Sequence, residues 1–218
     1  MSTLSKLVLG AMGALRPRPL IGEATVKIKL PAPEVSGGGS LLDALGKRRS
    51  CRAYRNDALP MPILSTLLWA AGGVNRSDGG RTAPSALNAR EIAIVVALPS
   101  GAYRFDPVSH SLHLVCAQDV RRVTGYQDFV DQAPMDLVFV ADHARMRSVP
   151  AAQRTAYSSV AAGAMAQNVY LFAASAGLAT VLRAWIDREA IAQALGLSHD
   201  QEVLLSQTVG YESPPSGK

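Results

Sequence analysis

The chain has 218 residues, 48% of them hydrophobic and 18% charged, with a net charge of +5. That length and balance suit one globular α/β-type domain with an arm and exclude an intrinsically disordered chain. Only 6% of residues are aromatic. None interleaves with basic residues as a base-stacking groove requires, so no nucleic-acid partner is expected. Two cysteines, Cys51 and Cys116, and four histidines give neither a disulfide framework nor the ligand spacing of a metal site, and none is expected.

Residues 1–39 read as an N-terminal extension. The apolar run from Leu7 to Leu15 is too short to span a bilayer. Arg16, Pro17, Arg18 and Pro19 follow it without a small-residue cleavage site. This favours a cytoplasmic protein without a membrane partner over an exported one. Residues 26–30 form a candidate strand, broken by Pro31, Pro33 and the glycines at 37–39.

The domain is set at 40–218. Ser40 and Asp43 form a capping-box start ahead of a helix carrying Leu41, Leu42 and Leu45. Residues 62–71 place Ile63, Leu64, Leu67, Leu68 and Ala71 at helical spacing, and Gly72 and Gly73 end that helix. Residues 91–98 are a continuous apolar run, expected to be a strand buried on both faces. Residues 103–105 and 112–116 read as a hairpin, residues 119–125 as a short helix and residues 136–141 as a second buried strand. Residues 150–176 are alanine-rich with no polar stripe, the pattern of a central or interfacial helix, and Gly177 stops it. A strand at 178–183, a helix capped by Asp187 and a strand at 202–209 complete an α+β chain.

Five of the nine residues at 47–55 are basic: Lys47, Arg48, Arg49, Arg52 and Arg55. Like charges this dense repel one another unless an anion joins them, and the arginine fork with the Ser50 hydroxyl suits phosphate. A solvated basic face is the alternative, and nucleic-acid binding a more remote one. Pro84, Ser85, Ala86, Leu87 and Asn88 taken alone are turn-forming residues. The chain has no phosphate-binding glycine loop, no nucleophile elbow and no zinc-protease motif. No nucleophile–base pair can be assigned from its scattered histidines, as expected where a bound cofactor carries the reaction. Arginines flanking Cys51 favour its thiolate, although a free cysteine more commonly serves packing. Tyr126 and Phe129 fit core packing or a lid, and Gln167 and Asn168 an interface or a mutual contact.

The run Arg48-Arg49-Ser50-Cys51-Arg52-Ala53-Tyr54 resembles the opening motif of nitroreductase-like flavoproteins, arginine, arginine or histidine, serine, any residue, a basic residue, any residue, then an aromatic. Ala83-Pro84-Ser85-Ala86-Leu87-Asn88-Ala89 resembles their Ala-Pro-Ser-x-x-Asn segment. The stretches 162–178 and 209–211 are similar to their long central helix and closing strand. The segment 28–33 is more similar to the branch containing peptide azoline dehydrogenases.

This resemblance, which runs from about Ser40 to Tyr211, implies an α+β nitroreductase-like fold: a mixed central β-sheet flanked by helices, paired as an intertwined homodimer with FMN at the interface. It implies that Arg48 and Ser50 hold the FMN phosphate and nearby ribityl groups, and that Arg49 supports that wall. Arg52 approaches the pyrimidine edge of the flavin ring, where its charge stabilises the reduced flavin. Pro84, Ser85, Ala86, Leu87 and Asn88 come from the second subunit, and the backbone of Ala184 and Trp185 lies near the ring.

Trp185 departs from the glycine common in relatives and is expected to cover the flavin. The C-terminus departs as well: only Lys218 stands where relatives carry a phosphate-binding cation, with Arg55 or Arg183 as substitutes. The implied activity is NADH- or NADPH-driven two-electron reduction of nitroaromatic, quinone or similar acceptors. The alternatives are an FMN-dependent dehydrogenase of a peptide or small heterocycle using oxygen, and a non-catalytic flavin-binding protein.

Overall fold

A computed structural model of the chain describes residues 26–214. The apolar run at 7–15 and Lys218 lie outside the described residues. Seven strands form one sheet: β1 (Lys27–Lys29), β2 (Ile92–Leu98), β3 (Gly101–Asp106), β4 (Ser111–Cys116), β5 (Met135–Asp142), β6 (Ala179–Arg183) and β7 (Gln201–Gly210). Four α-helices accompany them: α1 (Leu41–Lys47), α2 (Met61–Gly72), α3 (Ala151–Ala176) and α4 (Arg188–Ala194).

The spatial order is β1-β4-β3-β2-β5-β7-β6. Every ladder among the described residues is antiparallel, so the mixed sheet expected from the sequence is corrected. The cause lies in β7. The crossover through α3 returns β6 parallel to β5, as such a connection must. β7 then inserts between the two and runs antiparallel to both.

Alternation along the strands builds two cores. Ile94, Val96, Leu137 and Phe139 face α2 and α3. Val95, Ala97, Val138 and Val140 face α4, with Ile191 and Leu195. Both faces of β2 are therefore covered, as its unbroken apolar run requires.

Local chemistry sets the element ends. Ser40 Oγ accepts from Asp43 N at 3.1 Å and starts α1. Pro62 stands in the first turn of α2, where its missing N–H costs nothing. Gly177, in the left-handed region at φ 68°, ends α3 with its N–H on Ala173 O. The short helix expected at 119–125 is instead a single 3-10 turn, Arg121–Val123. Asp119 Oδ1 accepts from Arg121 N at 3.0 Å and holds the Arg121 guanidinium, and such side-chain bonds compete with helix propagation.

Residues 27–39 of the proposed arm lie against the body. β1 pairs with β4, Leu30 is buried, and Gly39 N donates to Ser175 Oγ at 3.0 Å. α1 buries Ala44 against α3, but Leu41, Leu42 and Leu45 point outward, 63%, 79% and 48% exposed.

Glu91, just before β2, is 1% exposed, and neither carboxyl oxygen has a hydrogen-bond partner among the described residues. Burial pushes its carboxyl above the ordinary range, against its own backbone N–H and His143. A raised folded-state pKa gives stability that is complete below the unfolded value and lost as pH rises through the folded one. Thermal melts of wild type and Glu91→Gln between pH 4 and pH 8 should therefore diverge in favour of the variant as pH rises. Parallel curves would show that the carboxyl is not strained.

Candidate functional site

The basic strap leaves α1 and is pinned by its backbone. Cys51 N donates to Thr180 O of β6 at 2.9 Å, Arg55 N to Tyr211 O at 2.9 Å, and Ser213 N returns to Ala53 O at 3.1 Å. These bonds leave Arg49, Ser50 and Arg52 exposed and Arg48 half-buried. Cys51 instead packs against the small core of Tyr54, Ala133, Ala179 and Val181.

Tyr170 of α3, which the sequence reading did not single out, organises the strap. Its Oη lies 2.9 Å from Leu182 N, which donates to it, and 2.8 Å from Ser50 Oγ. The Tyr170 hydroxyl thus bridges β6 and Ser50, and either hydroxyl of the Ser50–Tyr170 pair can be the donor. The Arg48 guanidinium sits 5.2 Å from the Tyr170 ring centroid. Arg49 is committed differently: its Nη2 binds both oxygens of Glu212, at 2.8 and 2.7 Å. Lys47, Arg49, Cys51, Tyr170, Thr180 and Glu212 line a cavity of about 160 Å³ here.

Arg52 opens onto a second hollow of about 220 Å³, which it lines with Phe129, Leu182, Arg183, Ala184 and Trp185. Arg52 has no hydrogen-bond or ion-pair partner among the described residues. Trp185 is 60% exposed, and its ring centroid lies 5.6 Å from that of Tyr126. Burial, then Asp187, raises the Tyr126 pKa, so this phenol stays protonated at neutral pH. Phe129 packs on Tyr54, with ring centroids 5.8 Å apart.

Below the hollow, Arg183 Nη2 binds Asp136 Oδ1 at 2.5 Å and Ser206 Oγ at 2.9 Å, and Nη1 binds Thr124 O at 2.7 Å. Arg183 is therefore spent and cannot stand in for a C-terminal phosphate ligand. Arg55 pairs with Asp57 and lies over the Tyr211 ring. Lys47 is the further cation at the first cavity.

The segment 84–88 lies elsewhere. It forms a 3-10 turn, Ala86–Asn88, with Leu87, Asn88 and Arg90 in the left-handed region at φ 52°, 53° and 53°. Ser85 Oγ accepts from Arg90 N at 3.0 Å, and Leu87 is left 74% exposed. Strain in a non-glycine turn that presents an apolar side chain to solvent is unusual for a purely structural loop.

Asn168 Nδ2 anchors the start of this segment, donating to Ala70 O at 3.0 Å and Thr82 O at 3.3 Å. Asn168 therefore does not pair with Gln167, one of the two roles read for it in the sequence. Asn168 and Tyr170 are two residues apart on α3, about 200° around its axis. The helix thus stands between the two motif segments within one protomer.

Ser65 and His110 approach to 2.6 Å, and Ser111 and His113 to 3.0 Å, but both serines are fully buried, beyond reach of a substrate. Among the described residues no group of His, Cys, Asp and Glu could hold a metal ion. No helix there is long and apolar enough to cross a membrane.

The all-antiparallel α+β core thus carries a basic strap next to an open hollow lined by Arg52 and Trp185. The description of the Nitroreductase family matches residues 45–211. A nitroreductase-family protein of Methanocaldococcus jannaschii, MJ1384, is 35% identical over 179 residues, 76% of this chain and 87% of that protein. The crystal structure of a nitroreductase-family protein from Ralstonia eutropha JMP134 is 50% identical, with a TM-score of 0.85 over 91% of this chain and 95% of its own. The Escherichia coli microcin synthetase complex shares the fold alone, at 16% identity and a TM-score of 0.66 over 94% of this chain and 82% of that one. The chain belongs to the Nitroreductase family, and the family assigns it a general oxidoreductase role.

Replacing Tyr170 by Phe removes the hydroxyl shared by Ser50 and Leu182 N. The expected loss is about 1–2 kcal/mol in urea denaturation, with faster amide exchange at Leu182. Unchanged exchange there would show that the hydroxyl does not hold β6.

Proposed function

We propose that the protein is an FMN-dependent oxidoreductase that acts as a homodimer and uses NADH or NADPH to reduce nitroaromatic, quinone or similar conjugated acceptors by two electrons. The observation that supports this most is the strap itself. Arg48 and Ser50 meet at the Tyr170 hydroxyl and ring, and two residues on, Arg52, whose side chain has no partner among the described residues, lines a hollow with Ala184 and Trp185. This donor set fits a ligand with a phosphate at one end and an electron-poor ring at the other.

FMN, when bound, supplies a carrier that accepts and returns electron pairs, chemistry no side chain here provides. Arg48 and Ser50 would hold its phosphate, with Lys47 as the nearby cation. Arg49 reaches that wall only through its pair with Glu212. Arg52 would place positive charge beside the ring edge where negative charge accumulates on reduction. Trp185, braced by Tyr126, would wall the hollow and favour flat acceptors over bulky ones. The exposed turn carrying Pro84, Ser85, Ala86, Leu87 and Asn88 would close the site from a second copy of the chain.

The purified protein should be yellow and release FMN, near one per subunit, on denaturation. Anaerobic NADH or NADPH should bleach the flavin, and an added quinone should restore the colour. Retained colour in the presence of both nicotinamides would shift the reading to a dehydrogenase that hands electrons from its own substrate to oxygen. A colourless protein that takes up no added FMN would overturn the flavin reading.

The double variant Arg48→Ala, Ser50→Ala should lose most bound FMN while its far-ultraviolet circular dichroism is unchanged, because both side chains lie outside the core. Full flavin occupancy would place the phosphate elsewhere.

A further inference from the structure

β2 and β3 do not stay paired to their ends. Their ladder runs from Leu98↔Gly101 to Val95↔Arg104 and stops there, although β2 begins at Ile92 and β3 continues to Asp106. The strands splay, and an open cavity of about 410 Å³ lies at the wedge between them, within the size range of small-molecule sites. Four arginines line it: Arg81, Arg90, Arg104 and Arg145.

Their existing commitments leave most of their donors free. Arg145 is paired with Asp142, which also accepts from Ala144 N. Arg81 gives Nη1 to Gly72 O, and its buried Nε has no partner. Arg90 gives Nε to Asn88 Oδ1. The Arg104 side chain has no hydrogen-bond or ion-pair partner among the described residues.

The carboxylates in the wall offset only part of this charge: Asp106 attracts Arg81, and Asp142 pairs with Arg145. Asp106 is engaged by Ser109 Oγ and Val108 N, and burial pushes Glu91 towards its neutral form. Burial first, then Arg90 and Arg145, lowers the Arg81 pKa, a sign that the cations crowd one another.

Three partly free guanidinium forks exceed what the two oxygens of one carboxylate can accept. They match the three oxygens and near-double negative charge of a phosphate monoester. We propose that the β2–β3 wedge is a second anion site, separate from the Arg48 strap, which takes a phosphate monoester group through Arg81, Arg90 and Arg104. The group has two plausible sources, free phosphate and the 2'-phosphate of a phosphorylated nicotinamide nucleotide. Arg81 and Arg90 flank the 84–88 turn, so the second source would place the adenosine end of the electron donor at the root of the flavin-facing segment. The site does not depend on the flavin reading.

The test is calorimetric titration of the FMN-loaded protein with adenosine 2',5'-bisphosphate and, separately, inorganic phosphate. Saturable binding of the bisphosphate that weakens as salt rises is expected, and Arg104→Ala should weaken it about tenfold, the worth of one charge-assisted hydrogen bond. Binding should persist in the Arg48→Ala, Ser50→Ala variant, which separates this site from the strap whether or not that strap holds FMN. Equal affinity for inorganic phosphate would make free phosphate the source. Absence of binding by both ligands, or binding unaffected by both Arg104→Ala and Arg90→Ala, would overturn the proposal.

Discussion

The burial of α3 is the constraint on which the rest of the arrangement depends. The helix presents Ala161, Ala162, Ala166 and Ala173 to its neighbours, and these small side chains let sheet and α2 approach closely. Two polar residues on the helix each fasten one motif segment. Tyr170 ties the basic strap to β6, and Asn168 ties the 84–88 turn to α2. A helix with a polar stripe in place of these alanines would sit further from the sheet, and neither bond would form. The central helix is therefore both the packing solution and the ruler that spaces the two segments.

A second buried interaction fixes the floor of the Arg52 hollow. Arg183 and Asp136 have side chains 4% and 0% exposed, and Thr124, Ser206 and Thr208 add hydrogen bonds to them, while Asp136 Oδ2 and Arg183 Nε have no partner among the described residues. Removing one partner of such a pair typically costs about 3–5 kcal/mol, because the other is left charged and dry. The pair also requires a glycine: a Cβ on Gly125 would lie 1.6 Å from Arg183 Nη1. This network adds specificity more than net stability. It holds the 124–129 turn against the end of β6, so that Tyr126 and Trp185 meet over the hollow.

Much of the fold was legible because it rests on local rules. The Ser40 cap, the Pro62 and Gly177 boundaries and the unbroken apolar runs of β2 and β5 follow from side chains a few residues apart. What was not legible depends on distant residues. Nothing near Arg183 in the chain announces Asp136, 47 positions away. Nothing in α1 shows that Leu41, Leu42 and Leu45 face outward, because their spacing fits a core face equally well. The insertion of β7 between β5 and β6, which makes the sheet antiparallel, is a matter of topology and leaves no mark in local sequence. The strap was legible as a dense basic cluster, but Tyr170 was not, because a single tyrosine in a long apolar helix reads as packing.

The same geometry bears on assembly. An α-helix with side chains is about 10–12 Å across. A ligand lying on the Tyr170 side of α3 cannot also rest on the Asn168 side of the same helix without passing around it. If the strap and the 84–88 turn serve one ligand, they must therefore belong to different copies of the chain. The surface supplies a reason for copies to meet: Leu41, Leu42 and Leu45 on α1, with Tyr157 and Val160 on α3, are large apolar side chains left in water. Contiguous apolar surface on a soluble protein commonly marks an interface. Pairing through α1 and α3 would bury those residues. A left-handed turn that holds the Leu87 side chain in solvent costs free energy that cover by a second copy would recover.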